Sequence, residues 1–194
     1  MDFGAFYARR SLRIFPAFYS YWLGLTILLV IAKKPINWPH SASAFLYFSN
    51  YFHAWHGDPN DGFSHTWSLA IEEQFYVLWP MALYWLYKRK ARIHLWLTAA
   101  IVADAAYRVM LVYTTSVGHG WIYAAFDTRV DALLVGCLLA VLLVEGRLAN
   151  LSRFVCSSPL IPLVTVVLIW LAAGATNPGA AEYRDVFGLA LTPP

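Results

Sequence analysis

Charged residues and cysteines are both scarce in this sequence of 194 residues. Asp, Glu, Lys and Arg make up 13% of it, whereas a soluble globular chain carries about 25%. The net charge of +3 provides no basic face that could neutralise the phosphates of a nucleic acid. Of the two cysteines, Cys137 lies in an apolar run and Cys156 in a short basic loop, and neither is placed like a disulfide or metal pair. A soluble fold, a disordered tail and a nucleic-acid binder are excluded.

What the sequence has in abundance is apolar residues, at 60% of the chain. At about 20 residues for each membrane span, this length predicts an all-α, polytopic transmembrane helix bundle with five to six membrane helices. The predicted spans are 15–32, 67–87, 93–113, 130–144 and 160–175, with a last apolar run from 186 to 194. The run at 130–144 is short, and we expect it to extend through Thr128 and Glu145.

Residues 41–55 are aromatic but carry polar side chains, so this stretch is interpreted as an interfacial or re-entrant segment. If it does not cross and the N-terminus is cytoplasmic, nine basic residues lie inside and four outside, which is the bias that the positive-inside rule requires. The inner set is Arg9, Arg10, Arg13, Lys88, Arg89, Lys90, Arg92, Arg147 and Arg153, and the outer set is Lys33, Lys34, Arg129 and Arg184.

Two adjacent acids, Glu72 and Glu73, lie near the start of a predicted membrane helix, where charge is costly. A helix that begins near Thr66 would place both in its first two turns, where the helix dipole stabilises carboxylates. That structural role explains one acid better than two, because adjacent residues point about 100° apart. Helical spacing puts Glu72 on a polar face with Ser68 and Tyr76, whereas Glu73 shares an apolar face. We therefore expect Glu72 to act as a general base or to orient a histidine.

Two further charged groups have alternative interpretations. Asp104 and Arg108 are four residues apart, so they can form an internal ion pair, or Arg108 can extend to the interface. Asp127 is placed to cap the following helix, while Arg129 and Asp131 beside it could orient an anionic or polar substrate.

Several histidines have the residue type of metal ligands and lie close together in sequence with two aspartates. No pair has the His-Glu spacing of a catalytic metal helix, so we expect no metal. His65 is the strongest catalytic candidate among them, since it lies next to Trp67 and the acid pair. The residues of suitable type are His53, His56, His65, Asp58 and Asp61.

Arg9, Arg10 and Arg13 form a basic run before the first span. They could set the topology and contact anionic lipid, or they could bind the phosphates of a cytoplasmic anionic cofactor. Composition leaves both interpretations open.

Three segments resemble the acyltransferase 3 family of membrane proteins, which includes O-acetyltransferases of bacterial surface polysaccharides. They are FYARRSLRIFP at 6–16, HTWSLAIEEQFYVLWP at 65–80 and, more weakly, TRVDALLVG at 128–136. The resemblance covers nearly the whole chain, so 1–194 is interpreted as a single partial domain of this kind. Family members begin with two more helices, the first of which carries an essential histidine. This sequence begins after them, so we expect an incomplete member.

The resemblance implies transfer of an acyl group, usually acetyl, from cytoplasmic acyl-CoA to a hydroxyl at the outer face of the bacterial inner membrane. The acceptor would be a carbohydrate or a lipid-linked glycan. By the same resemblance, Arg9, Arg10 and Arg13 would hold the CoA phosphates, and Arg129 and Asp131 would be supporting residues. The transfer site would be lined by Trp67, Ser68, Glu72, Phe75 and Tyr76.

Two other functions stay open at this point. A transporter or flippase-like carrier would use Glu72, Asp104 and Arg108 in a substrate or proton path, although the sequence has no repeat symmetry to support it. A non-catalytic remnant of the family would use none of these residues for chemistry.

Overall fold

The computed structural model describes residues 2–114, 119–158 and 160–175, and within these ranges it is helical with no strand. The chain divides into two compact units, one of residues 1–90 with 124–126 and the other of residues 91–123 with 127–194. The helices are α1 (Phe3–Ile31), α2 (Trp38–Phe45), α3 (Ser49–His56), α4 (Thr66–Lys88), α5 (Ile93–Thr114), α6 (His119–Ala124), α7 (Val130–Val144), α8 (Ala149–Cys156) and α9 (Leu160–Ala175), with a 3₁₀ turn at Phe126–Thr128.

The predicted apolar runs at 67–87, 93–113, 130–144 and 160–175 are helices α4, α5, α7 and α9. Among the described residues, α1 and α5 are long and apolar enough to cross a membrane, and α7 is a shorter apolar helix. The count of five to six spans stays a prediction, and the run at 186–194 lies outside the described residues.

Helix α1 begins earlier than the predicted span at 15–32. Asp2 caps it, since its carboxylate accepts the N–H of Ala5 at 3.0 Å. This cap places the basic run inside the helix instead of before it. Pro16 also lies within α1, where it removes one backbone donor.

Residues 41–55 form most of a helical hairpin, α2 and α3, joined by Leu46–Phe48 with Tyr47 at a φ of 56°. Each helix has eight residues, about 12 Å, which is too short for a hydrocarbon core of about 30 Å. The tip reaches the middle of α1, because the ring of Tyr47 lies 4.6 Å from that of Phe18. The interfacial or re-entrant placement of this hairpin stays a prediction.

Buried hydrogen bonds hold the hairpin against α4. Thr66 Oγ1 donates to Ser49 Oγ at 2.9 Å, and the amides of Asn50 and Gln74 donate to each other at 3.3 and 2.9 Å. Gln74 Nε2 also donates to the carbonyl of Tyr47 at 2.9 Å. Because buried polar groups are costly without partners, these bonds fix the register of the hairpin on α4.

The loop between α3 and α4 packs closely on α1. Tyr21 donates its hydroxyl to the carbonyl of Gly62, and a Cβ at Gly62 would lie 2.6 Å from a methyl carbon of Leu25. A side chain at this position would require Leu25 to shift, so glycine allows the backbone to approach α1 closely.

In the second unit, α5 packs against α7 through charged side chains. The predicted ion pair is confirmed, since Arg108 Nη2 lies 3.0 Å from Asp104 Oδ2. The same nitrogen lies 2.6 Å from Asp131 Oδ2 of α7. Arg108 is 3% exposed and Asp104 8%. Both charges of this ion pair therefore lie in the interior of the second unit.

Two predictions about α7 are wrong. The helix does not extend through Thr128 and Glu145, because a 3₁₀ turn ends at Thr128 and Glu145 is the C-cap. Asp127 is not the N-cap, a position that Arg129 occupies without a side-chain cap. The carboxylate of Asp127 instead accepts from Tyr107 Oη at 3.1 Å and from Trp121 Nε1 at 3.3 Å.

Candidate active site

A cluster of one cation, one phenol and one carboxylate lies between α1 and α4 in the first unit. Its residues are Arg10, Tyr76 and Glu72. The guanidinium of Arg10 lies 3.1 Å from the ring centroid of Tyr76, a cation–π contact. One turn earlier on α1, Tyr7 donates its hydroxyl to the carbonyl of Val77 at 2.9 Å. The two helices are thus held together where Arg10 meets Tyr76.

Tyr76 also contacts the acid that the helical spacing predicts. Its hydroxyl donates to Glu72 Oε2 at 3.2 Å, so the shared face of Glu72 and Tyr76 is confirmed as a contact. The cluster therefore joins a cation, a phenol and a carboxylate, all half-buried. A carboxylate that already accepts a hydroxyl hydrogen bond is placed to accept a proton from a hydroxyl group.

Glu73 has a place at this cluster that sequence reasoning did not expect. Its Oε1 is buried and has no hydrogen-bond partner among the described residues, and it lies in electrostatic range of Arg10. Arg10 Nε and Tyr47 Oη are likewise buried without a partner there. Buried polar atoms are nearly always paired, so these three unpaired atoms, one of them in the Glu73 carboxylate, set the surroundings of Glu73 apart from an ordinary helix contact.

Glu73 lines an open groove whose volume is about 400 Å³. The groove also contains Tyr47, and most of its walls are apolar. Its lining residues are Phe15, Leu46, Tyr47, Phe48, Glu73, Gln74, Val77 and Leu78. A volume of this size is within the range of ligand pockets.

The three predicted phosphate-binding arginines do not act as one cluster in the structure. Arg9 and Arg13 are exposed and share one face of α1, since they are four residues apart. Arg10 points about 100° away from Arg9 and packs on Tyr76. A role of all three in binding CoA stays a prediction, with Arg9 and Arg13 the accessible pair.

The other predicted residues in and before α4 lie around the cluster, and the ring of Phe75 lies 6.1 Å from that of Tyr76. Ser68 Oγ donates to the carbonyl of His65 at 3.2 Å and not to Glu72. The ring of His65 packs against that of Tyr21 at 5.1 Å. Trp67 and Phe75 are 7% and 5% exposed, so both belong to the core of this unit. Their roles at the transfer site stay predictions.

Arg129 and Asp131 lie in the second unit. Asp131 accepts from Arg108, as described above, and the guanidinium of Arg129 lies 5.4 Å from the ring centroid of Tyr123. Burial lowers the pKa of Arg129 from its ordinary value. Substrate binding by this pair stays a prediction.

A chain of one half-buried carboxylate and two buried imidazoles was missed by sequence reasoning. His40 Nδ1 lies 2.8 Å from Asp61 Oδ2, and His40 Nε2 lies 3.1 Å from His53 Nε2. His40 is fully buried and His53 is 4% exposed. Burial first, and then His40, lowers the pKa of His53. Only the hairpin brings these residues together, because His40 and His53 have no local spacing that would indicate a contact.

His40, His53 and Asp61 of the first unit contact one another without forming a metal-binding group among the described residues. In the part of the chain that is described, no three or more His, Cys, Asp or Glu side chains are grouped so that they could hold a metal ion. The carboxylate of Asp61 faces Nδ1 of His40, and the second ring nitrogen faces His53. These contacts use both nitrogens of His40 within the protein.

Comparison with known proteins gives a family and several relatives. The family model described as an acyltransferase domain, acyltransferase 3, matches residues 1–193. YrhL of Bacillus subtilis, provisionally named a peptidoglycan O-acetyltransferase, is 30% identical over 164 residues, which are 77% of this chain and 26% of that protein. The O-acetyltransferase OatA of Staphylococcus aureus is 33% identical over 154 residues, 72% of this chain and 25% of that protein.

This chain therefore spans about a quarter of the length of the curated relatives it matches. No solved structure matches it. The family match, by contrast, extends over nearly the whole sequence and includes both helices of the Arg10–Tyr76–Glu72 cluster. The chain belongs to the acyltransferase 3 family.

Proposed function

We propose that this chain is part of an integral membrane O-acyltransferase that moves an acyl group, in the first instance acetyl, from acyl-CoA to a hydroxyl of a cell-wall carbohydrate. The observation that carries the proposal is the contact of Arg10 with Tyr76 and of Tyr76 with Glu72. These residues come from two of the three sequence motifs that carry the family resemblance. The names of the relatives support acetyl as the acyl group and peptidoglycan as the polymer.

In the proposed reaction, the acceptor oxygen forms an ester bond to the acyl carbon while the bond from that carbon to the CoA sulfur breaks. The hydroxyl proton leaves the acceptor and passes to the carboxylate of Glu72, directly or through a histidine that Glu72 orients, and finally to the departing thiolate. Arg10 lies close to the site of developing negative charge, where a fixed cation stabilises a transition state. Glu73, with its unpaired oxygen, would hold a polar group of the bound substrate.

The donor side of the proposal depends on Arg9 and Arg13. Both are exposed on one face of α1, so their guanidinium groups can contact the phosphates of acyl-CoA while Arg10 remains at Tyr76. Arginine is suited to this role because its planar group binds phosphate in a bidentate manner.

The proposed membrane arrangement has α1, α4, α5, α7 and α9 as five membrane helices, with the Arg9–Arg13 end cytoplasmic. The positive-inside bias of the loops supports this orientation. The α2–α3 hairpin would enter from the outer side and return to it, since neither helix is long enough to cross.

The test compares variants of the full-length protein in membranes supplied with labelled acetyl-CoA and cell-wall glycan. Glu72→Gln keeps the shape of the side chain but cannot take a proton, and we expect it to lower transfer by at least about a hundredfold. Tyr76→Phe keeps the ring under Arg10 and removes only the hydroxyl, so we expect a smaller loss.

Two control variants are matched to these. Glu145→Gln changes an exposed acid at the end of α7, and Tyr84→Phe removes a hydroxyl two turns further along α4. Both should transfer acetyl at the rate of the unmodified protein. Full activity of Glu72→Gln, with normal insertion, would refute the assignment of Glu72. Proton-coupled uptake into vesicles without acyl-CoA consumption would favour the carrier.

A further inference from the structure

A polar pocket lies in the first unit, beyond the end of α1 and away from the Arg10–Tyr76 cluster. Its volume is about 550 Å³, within the range of small-molecule sites. Four of its side chains are polar, namely Lys34, Asn37, Asn60 and Asp61. The rest of the wall comes mainly from apolar side chains and prolines, among them Leu29, Pro35, Ile36, Pro59 and Phe63.

Asp61 is fixed in this pocket with part of its hydrogen-bonding capacity unused. Its Oδ1 accepts the N–H of Phe63 at 2.8 Å, and His40 Nδ1 lies 2.8 Å from Oδ2. An ionised carboxylate has about four acceptor positions, so two donors from the protein leave room for others. The side chain of Asp61 is 23% exposed whereas that of His40 is fully buried. A ligand can therefore reach the carboxylate, and His40 is a positioning residue behind it.

The amide of Asn37 is held by a backbone contact that leaves its amino group free of that bond, and Asn60 is positioned through its backbone. Asn37 Oδ1 accepts the N–H of His40 at 3.2 Å, so the nitrogen of that amide points elsewhere and can donate. Asn60 has a φ of 50°, and its N–H donates to Asp58 Oδ1 at 2.8 Å. This turn presents the Asn60 side chain at the wall of the pocket.

The chemistry of the lining selects one class of ligand. A carboxylate that accepts, two amides that donate or accept and one ammonium that donates match the hydroxyl groups of a sugar, and the apolar wall matches its C–H faces. A phosphate bound in this pocket would lie against the carboxylate of Asp61. Because like charges repel, the pocket favours a neutral ligand over a phosphate.

We propose that this pocket is a glycan subsite, which holds a sugar of the acceptor while another part of the acceptor is acylated. The inference rests on the proposed function, because that function makes a carbohydrate the acceptor. On the proposed topology the pocket lies on the outer side, where such an acceptor is found.

The chain offers a closely matched pair of residues for the test. Lys33 and Lys34 are adjacent and exposed, but only Lys34 lines the pocket. We expect Lys34→Gln to weaken binding of muramidase-released peptidoglycan disaccharide about three- to tenfold, the loss of one typical hydrogen bond. Lys33→Gln, with the same loss of charge, should bind as the unmodified protein does. Binding is measured by saturation-transfer NMR on the purified full-length protein.

A second pair tests the amide without straining the backbone. Lys33 and Asn60 both have φ near 50°, a conformation that glycine adopts freely. Asn60→Gly should weaken disaccharide binding about threefold or more, and Lys33→Gly should not. Unchanged binding in both Lys34→Gln and Asn60→Gly would overturn the subsite.

The binding assay is independent of acyl transfer, so the two proposals can fail separately. If the unmodified protein binds the disaccharide with the expected variant pattern but does not consume acyl-CoA, the subsite stands and the acyltransferase proposal fails. If acyl transfer proceeds and pocket variants bind normally, only the subsite fails.

Discussion

Removing the charge of Arg108 is the change whose consequence the structure predicts most sharply. One nitrogen of this side chain lies 3.0 Å from Asp104 and 2.6 Å from Asp131, and the arginine is 3% exposed. Arg108→Met would leave two carboxylates without their cation. Breaking a buried ion pair in this way costs about 3–5 kcal/mol, so we expect the free energy of unfolding to fall by about that amount.

A triple variant separates the loss of the attraction between the ion-pair partners from the cost of burying charges that have no partner. Asp104→Leu, Arg108→Met and Asp131→Asn together remove the three charges of this contact and keep Arg129, which lies in electrostatic range of Asp131. Replacing a whole buried network by groups of similar volume is often neutral or stabilising. We therefore expect the triple variant to recover to within about 1 kcal/mol of the unmodified protein.

Unfolding of the purified full-length protein in mixed micelles, followed by tryptophan fluorescence, measures both effects. Arg89→Met is the control, because Arg89 is exposed and lies 4.0 Å over the ring of Trp85. That contact should be worth about 1 kcal/mol or less. Equal stability of Arg108→Met and Arg89→Met would refute the structural role of the network. A stable triple variant that has lost acyl transfer would instead favour substrate binding by Asp131.

Three further predictions concern the first unit. Arg9→Gln with Arg13→Gln should raise the KM for acyl-CoA about tenfold with kcat unchanged, and an unchanged KM in steady-state kinetics would exclude the phosphate role. Arg10→Lys exchanges a flat guanidinium over Tyr76 for an ammonium, so we expect a kcat about tenfold lower and an unchanged KM; equal kcat would contradict the role of the stack. Burial and His40 lower the pKa of His53, against the smaller effects of Asp58 and Asp61. The unfolded chain thus binds a proton more readily, and stability should be full above about pH 6.5 and fall below it. His53→Gln should flatten this slope in denaturation curves between pH 8 and 5, and an unchanged slope would assign it to other groups.

The positions of the long helices could be predicted from the sequence, because apolar runs of span length leave few alternatives. The contact of Glu72 with Tyr76 and that of Asp104 with Arg108 were predictable for a similar reason, since helical spacing fixes which residues share a face.

Contacts that depend on tertiary packing could not be predicted in this way. His40, His53 and Asp61 meet only because two short helices fold back on each other at Tyr47. Glu73 lines the groove because the tip of that hairpin lies beside it. The face of α4 that carries Glu73 is apolar by its spacing in α4 alone, but the hairpin adds the Tyr47 hydroxyl to its surroundings. Asp127 has the residue type of a helix cap, but Tyr107 and Trp121 compete for its carboxylate and the helix begins beyond Arg129.

The proposed function depends most directly on whether acyl groups reach a carbohydrate hydroxyl. Membranes that contain the full-length protein are incubated with acetyl-labelled acetyl-CoA and peptidoglycan, and label that is released from the polymer by mild alkali is measured. We expect ester-linked label with the unmodified protein and with Glu145→Gln, and none with Glu72→Gln. Consumption of acetyl-CoA without alkali-labile label on the polymer, or equal labelling by Glu72→Gln, would contradict the account.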